Sequence, residues 1–486
     1  MGRGQPQTAH LLRRGGFGAG ASELKAFDRY APQAVTEYLL NFERQPDDVD
    51  SKIQQSAYVS VTTRGGQFQP NLNIDDARQR WLFRMVHSAR PLQEKMALFW
   101  HNHFATAYSK LAGIVPGVQA TKMLALVEGE LPGPQGQLEL FRQMGLGSFR
   151  DLLVEVARDP AMLVWLDGRV NFRTRPQENF GREVMELFTF GLGNYVEQDV
   201  YAAARAFTGW NLRLEGGDPQ QPTAYYAFLY NASQHETSAK TFSFPIYADG
   251  GKTIAARSAA DGMQDGLDFL TALARHPETA RRLARKLWNF FVSDVNAPDD
   301  QFIETAARIY LQYDTQIKPV IAYILQSSVF LDPANWYTRY SWPAEFVVRA
   351  IKEVGWNGFS VDTARAAMIN MGQTLFEPPD VAGWSLGQEW FSSGTMLARM
   401  NFAATLAANQ RVNLGRDAAV ASSSPDDFVS YFIDRLTASE FDAAPYGYLQ
   451  TYVASGGAWT GSPAQLQSKA AGLTRLMVGS SEYQFI

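Results

Sequence analysis

Arg175-Pro-Gln-Glu-Asn-Phe-Gly-Arg-Glu-Val-Met-Glu-Leu-Phe-Thr-Phe-Gly191 spaces charge and apolar bulk at helical intervals. At ~100° per residue, Glu178, Arg182, Glu183 and Glu186 share one sector, and Phe180, Val184, Leu187 and Phe188 fill the opposite one. The same periodicity recurs along most of the chain. It predicts helices over 22–30, 32–41, 75–88, 92–104, 119–126, 148–158, 160–166, 178–190 and 198–207. In the second half it predicts helices over 263–274, 277–291, 299–313, 317–325, 344–354, 362–371, 394–406, 425–436 and 463–477.

The stretch near 212–255 is different. It is rich in Tyr, Phe, Thr, Ser and Gly, as in Tyr225-Tyr-Ala-Phe-Leu-Tyr230 and Lys240-Thr-Phe-Ser-Phe244, which suits short strands or an irregular excursion. The fold class expected is therefore mainly α, a large multi-helix globular fold interrupted by that excursion. Residues 1–486 read as one unit, with an N-terminal helical half (1–211), the aromatic excursion (212–255) and a C-terminal helical half (256–486). The glycine cluster Gly15-Gly-Phe-Gly-Ala-Gly20 reads as a turn, because no strand precedes it to make a dinucleotide fingerprint.

With 46% apolar and 13% aromatic residues the chain can bury a large core. Its net charge of −5 gives no basic footprint, so a nucleic-acid partner is not expected. Apolar runs such as Val320-Ile-Ala-Tyr-Ile-Leu325 fall short of the about 20 residues that cross a bilayer, so no membrane span is expected. Cysteine is absent, which removes disulfides, thiolate catalysis and Cys-ligated metals and leaves His and carboxylates as the only metal ligands of choice. The N-terminal segment has paired arginines, Arg13-Arg14, without a following apolar stretch, so no signal peptide is read in it; a mature chain restarted at Met1 would look the same.

Three constellations have chemical potential. On the 178–190 helix, Glu178 with Arg182 and Arg182 with Glu186 are i,i+4 pairs, so an ion-pair ladder on a solvated face is a sufficient explanation. Three carboxylates around one guanidinium also suit acid/base work or metal ligation. In Glu94-Lys-Met-Ala-Leu-Phe-Trp-His-Asn-His-Phe104, a helix puts His103 on the apolar stripe and His101 on roughly the opposite side. His103 is the preferred partner for the carboxylate helix. His235, followed by Glu236 and Lys240, sits in the irregular segment, where it could be a ligand, a proton donor or surface polarity. Trp210 and Trp384 lie beside glycines and could stack on a sugar ring or pack in the core.

Several signatures fail. His235-Glu236 has no second His four residues on, Ile246 stands where Gly250-Gly-Lys-Thr253 would need the first glycine of a phosphate loop, and no Gly-x-Ser-x-Gly elbow occurs.

His10-Leu-Leu-Arg-Arg-Gly-Gly-Phe-Gly18, Glu94-Lys with Phe99-Trp-His-Asn-His-Phe104, Glu178-Asn-Phe-Gly-Arg-Glu-Val-Met-Glu-Leu-Phe-Thr-Phe-Gly191, Ala204-Arg-Ala-Phe-Thr-Gly-Trp210, Lys240-Thr-Phe242 and Pro378-Pro-Asp-Val-Ala-Gly-Trp384 together resemble the bacterial family DUF1800, in order from about residue 10 onward. The resemblance implies a related fold and a domain of unknown function. It further implies export to the periplasm or the exterior, often beside a sulfatase-like partner. Its motif positions fall on His101, His103, Glu178, Asn179, Arg182, Glu183, Glu186, Asp199, Arg205, Trp210, His235 and Lys240. The chain departs from the family's His-Asp pair at Glu236, and from its glycine after Lys-Thr-Phe at Ser243-Phe244-Pro245.

The functional expectation is an envelope or extracellular enzyme for a small-molecule or polysaccharide substrate. Glu178, Arg182, Glu183, Glu186, His235 and Lys240 would serve catalysis, and Asn179, Arg205, Trp210 and Trp384 would bind substrate. A divalent metal would be held among His101, His103, Glu183, Glu186 and His235 for hydrolytic or related polar chemistry. One alternative is metal-free glycoside cleavage by two carboxylates. The other is a non-enzymatic secreted binding or scaffold protein.

Overall fold

The computed structural model describes residues 6–63, 66–409, 413–421, 423–436 and 443–486. Among them the architecture is mainly α, with two small two-stranded antiparallel sheets. Helices form where periodicity and capping agree. The expected 277–291 helix is Pro277–Phe291, with proline at the first turn, and 75–88 is Ile74–His87, whose first turn is capped by the Asn73 side chain. Ser148, Asp159 and Ser462 cap three others in the same way. Pro6–Arg14, Tyr108–Ala112, Gln137–Met144, Ser328–Leu331, Leu414–Ala418 and Ala443–Ala454 are helices that periodicity alone does not reveal. They are mostly too short to stand without tertiary packing.

The excursion is a hairpin, Trp210–Glu215 against Tyr225–Tyr230, followed by the two-residue pair Lys240–Thr241 and Thr253–Ile254. Leu212 pairs with Phe228 in the first sheet. Two side chains of the Gly117–Ala125 helix hold the hairpin loop: Lys122 Nζ donates to the carbonyls of Pro222 (2.8 Å) and Ala224 (2.6 Å), and Gln119 Nε2 to that of Ala224 (3.1 Å).

The first and last parts of the chain share one continuous apolar core. Backbone bonds stitch them: Tyr108 N–H donates to Phe376 O, Phe149 N–H to Thr315 O and Ile317 N–H to Gly147 O. Arg14, wholly buried on the Pro6–Arg14 helix, donates to the carbonyls of Ile486 (2.8 Å) and Val292.

At the centre lies Pro91–His103, buried except at Pro91 and Asn102. A helix enclosed on all sides must find partners inside the protein for every polar group it carries. Glu94 accepts from Arg84 Nε at 2.7 Å and from Arg142 Nε and Nη2 at 3.0 Å, while Arg84 also reaches Asp47 and Asp50. Lys95, the next residue, ion-pairs on another side with Glu345, which also accepts from Arg339 Nη1 (2.7 and 2.8 Å) and from the Trp342 N–H (3.0 Å). Burial alone would raise the Glu345 carboxyl, but the charges of Arg339 and Lys95 hold it at about 2. Trp100 Nε1 donates to Gly145 O, and His101 Nε2 accepts from the Phe376 N–H. The two imidazoles diverge, as a helical reading of the segment requires.

Removing the charge of Glu94 strands two buried guanidinium groups. Glu94→Gln should therefore lower unfolding free energy by about 3–5 kcal/mol, whereas Glu304→Gln, which breaks the exposed pair with Arg281, should leave the denaturation curve unchanged. Urea unfolding of the two variants beside the native protein checks this; equal effects would mean that the buried cluster is not what secures the central helix.

Candidate functional site

The central helix ends where the quoted Glu178 segment also ends. That segment begins as α-helix, Asn179–Glu183, and widens into a π-helical turn over Val184–Phe188. A π turn shifts the hydrogen-bond register and leaves carbonyls without helical partners, a feature common at functional sites. Gly191 closes it with φ +86°, its N–H donating to Met185 O at 2.9 Å. A Cβ at Gly191 would stand 2.1 Å from Arg282 Nη1, so a larger residue would displace that guanidinium.

The freed carbonyls meet cations and an imidazole. His103 Nε2 lies 3.0 Å from Phe188 O, and Lys286 Nζ and Arg282 Nη2 each lie 3.4 Å from Leu187 O. The carbonyl end of a helix favours such donors. Lys286 Nζ is also 3.0 Å from His103 Nδ1. Burial, followed by the charges of Lys286 and Arg282, keeps His103 well below the usual imidazole range, hence neutral. Its one proton belongs on Nε2, facing Phe188 O, which leaves Nδ1 as acceptor for the Lys286 amine. Burial, with a smaller push from Arg282, lowers that amine to about 7.

This pair lines a cleft with about 160 Å³ of space for water-sized molecules. Asn102, Asn289, Asp294, Arg339, Trp342 and Trp384 share the lining. Burial raises the Asp294 carboxyl against the opposing charges of Arg339 and Arg14. One wall, Ala382 to Leu386, is pinned to the central helix because Asn102 Oδ1 accepts from the Trp384 N–H at 2.7 Å. Gly383 makes that approach possible: its φ is +89°, and a Cβ there would lie 2.3 Å from Asn102 Oδ1.

The carboxylates of the Glu178 segment do not enter this lining. Arg182 is one-third exposed and pairs with Glu197 (2.6 Å) and Glu178 (3.4 Å), so the ladder forms, with Glu197 taking the place expected for Glu186. Glu186 instead accepts from the Tyr195 hydroxyl at 2.6 Å. Glu183 is half-buried, and burial together with Glu186 raises its carboxyl; among the described residues it has no hydrogen-bond or ion-pair partner. Asn179 is exposed and donates to Asp167 at 3.1 Å. Expected as the partner of the carboxylates, His103 meets their helix through the Phe188 carbonyl.

His235 and Lys240 belong to a separate buried cluster. The His235 ring nitrogens face Thr208 O (2.8 Å) and Asp265 Oδ2 (3.2 Å). Lys240 Nζ also reaches Asp265 Oδ2, at 2.7 Å, and Arg257 pairs with the other carboxylate oxygen at 3.1 Å. Glu236, in the place of the expected aspartate, caps the Ser238 N–H and lies 3.5 Å from Arg205, which also donates to Ser238 Oγ and Ala239 O. These contacts fasten the strand pair of Lys240–Thr241 to the helix Met263–Arg275. Trp210 is 1% exposed and packs edge-on against Phe207 and Phe228, so its ring has no open face for a sugar.

The five side chains expected around a metal therefore do not converge. His101 faces Phe376, His103 the Leu187–Phe188 turn and His235 Asp265. Among the described residues no three His, Asp or Glu side chains are grouped to hold an ion.

Lys286, Asn289, Asp294 and Arg339 are the cleft residues that motif reading passes over. Lys286 closes the basic run Arg281-Arg-Leu-Ala-Arg-Lys286, which reads as a solvated face. A signal was nevertheless present: Arg282, Lys286 and Phe290 are spaced by four, so Lys286 borders the apolar stripe of its own helix.

A family model described as a protein of unknown function, DUF1800, matches residues 10–485. No curated protein and no solved structure matches the chain.

The Lys286 amine gives a pH signature in stability. Unfolded, a lysine stays protonated to about 10.4, whereas the folded amine releases its proton near 7. Between those values the unfolded chain holds the extra proton, so this group's contribution to stability rises with pH. Lys286→Met should be more stable than the native protein at pH 6, with the advantage shrinking toward pH 10. Denaturation at both pH values is the check, and a constant difference would refute the lowered pKa.

Proposed function

The chain belongs to the DUF1800 family of proteins of unknown function, and we propose that it is an enzyme whose proton-transfer step is carried by the Lys286–His103 pair in the cleft beside Trp384. One observation carries this reading: the amine of a part-buried lysine lies 3.0 Å from a neutral imidazole, both on the wall of a cleft. A charged lysine would be a poor base. One that loses its proton near neutrality can take a proton from a substrate hydroxyl or a water, or attack a carbonyl.

The surroundings fit a base that charges and discharges. Phe188 O fixes the His103 tautomer, and His103 Nδ1 and the Leu187 carbonyl receive the ammonium hydrogens once the proton has been taken. Asp294, raised by burial, is a second titratable group on the same lining. A base shifted down and an acid shifted up in one cleft make a working acid/base pair. Trp384 supplies apolar surface for the rest of the substrate. Hydrolysis or a related polar reaction on a small molecule or polysaccharide suits this set.

Carboxylate-based glycoside cleavage is a second reading, and its support is Glu183, a carboxyl without a partner among the described residues and raised by burial and by Glu186. An envelope or extracellular location and a sulfatase-like partner draw their support from the family resemblance. No helix among the described residues is long and apolar enough to cross a membrane.

Competitive acylation with a small amine-reactive reagent reads the base directly. Lys286 should be labelled with a midpoint near pH 7, against about 10.4 for ordinary lysines. In a screen of ester, amide and glycoside substrates, any turnover found should fall by about 100-fold or more in Lys286→Met and be weakened in His103→Gln. Ordinary labelling of Lys286, or turnover untouched by its loss, would overturn the reading.

A further inference from the structure

Lys286 and Arg339 line the cleft, with Asp294 as the one carboxyl among the lining residues. Arg339 is 1% exposed, and its Nη1 is committed to Glu345. Its Nε and Nη2, both buried, have no hydrogen-bond partner among the described residues. Two buried N–H-bearing nitrogens left unmatched are costly, so a group that accepts from them is favoured. Lys95 and Trp342 N–H already occupy the same Glu345 carboxylate. Arg14 adds a further buried cation whose charge is felt at Arg339 and Asp294.

Lys286 lines the same space from the Pro277–Phe291 helix, one turn from Asn289, whose side-chain amide has no partner among the described residues. Asn102 uses its Oδ1 for the Trp384 N–H, and no partner for its Nδ2 is present among the described residues. The polar lining is thus dominated by donors. Asp294 is the one carboxyl among the lining residues.

We propose that the cleft recognises its substrate by an anionic oxygen group, a carboxylate, phosphate or sulfate, held by the unmatched Nε and Nη2 of Arg339 and by Lys286, with the rest of the molecule lying against Trp384. A planar guanidinium edge suits two oxygens of one anion, and the lysine adds a point charge. This rests on the proposed role of the cleft and names the substrate class that role would serve. The ligand charge also feeds back on the base. An anion beside Lys286 favours its ammonium form, so binding should take up a proton near pH 7. The other titratable or charged groups around Lys286 are Arg282 and neutral His103, with Asp294 and Arg339 across the cleft.

Calorimetric titration of the full chain with sodium phosphate, sodium sulfate and sodium acetate tests the proposal, run in two buffers of different ionisation enthalpy. At least one anion should bind with proton uptake, and which one binds distinguishes tetrahedral from planar oxyanions. Asn289→Asp puts a negative charge on the lining at a half-buried amide without partners and should weaken binding about tenfold or more. Arg339→Lys keeps a cation for Glu345 but removes the second donor edge, and should also cost about tenfold.

Absence of binding by all three salts would overturn the proposal, as would binding unchanged in both variants. Amine labelling of Lys286 is followed in parallel. A midpoint near pH 7 with no anion binding removes the anion site and leaves the base standing; anion binding with an ordinary midpoint does the reverse.

Discussion

Glu94 and Lys95 are neighbours of opposite charge on a helix with almost no exposed surface, and the organisation of the fold follows from finding each a partner. Glu94 gathers Arg84 and Arg142 on one side; Lys95 reaches Glu345 and, through it, Arg339 and the start of the Pro343–Val354 helix on another. Buried ions of this kind add little stability over apolar packing, but leaving one unmatched is expensive. They therefore act as registration points. Sliding or rotating the central helix would break two clusters that involve widely separated parts of the chain.

The site inherits its geometry from that registration. With Glu94 and Lys95 fixed, the far end of the same helix presents His101 to Phe376, Asn102 to Trp384 and His103 to Phe188. Three successive residues thus face three different elements. The quoted Glu178 segment contributes to the cleft by the way its helix ends, since the π turn and Gly191 aim carbonyls at His103, Arg282 and Lys286. Its charged side chains lie along a partly exposed flank with Glu197 and Tyr195.

Much of the fold was legible because the long helices satisfy their own periodicity and caps; Pro277–Phe291 is the clearest case, with proline at its start and leucines along one face. The Pro6–Arg14 helix was not, because its arginines look like surface residues until Val292 and Ile486 supply acceptors. The π turn could not be read either, as a run of Val-Met-Glu-Leu-Phe carries an α pattern and the wider turn depends on what caps its carbonyls. His103, read as a metal ligand, and Trp384, read as a sugar platform, both lie on the cleft lining. Arg339, in Tyr337-Thr-Arg-Tyr-Ser-Trp342, sits in a segment without periodicity, so nothing in its own stretch places it on one lining with Lys286 and Asp294. His235 and Lys240 stood out by residue type, whereas Asp265, the carboxylate that both contact, lies 30 residues beyond the histidine.

The contact between Gly383 and Asn102 has a consequence for how a ligand would be received. A loop that bounds a cleft usually has to be immobilised when the ligand arrives, and the lost chain freedom is subtracted from affinity. The Ala382–Leu386 wall is already held by its backbone, with no side chain at Gly383 to keep it from the central helix. A ligand of the proposed kind would then enter a cleft with one wall already in place, and would have less chain freedom to subtract from its affinity.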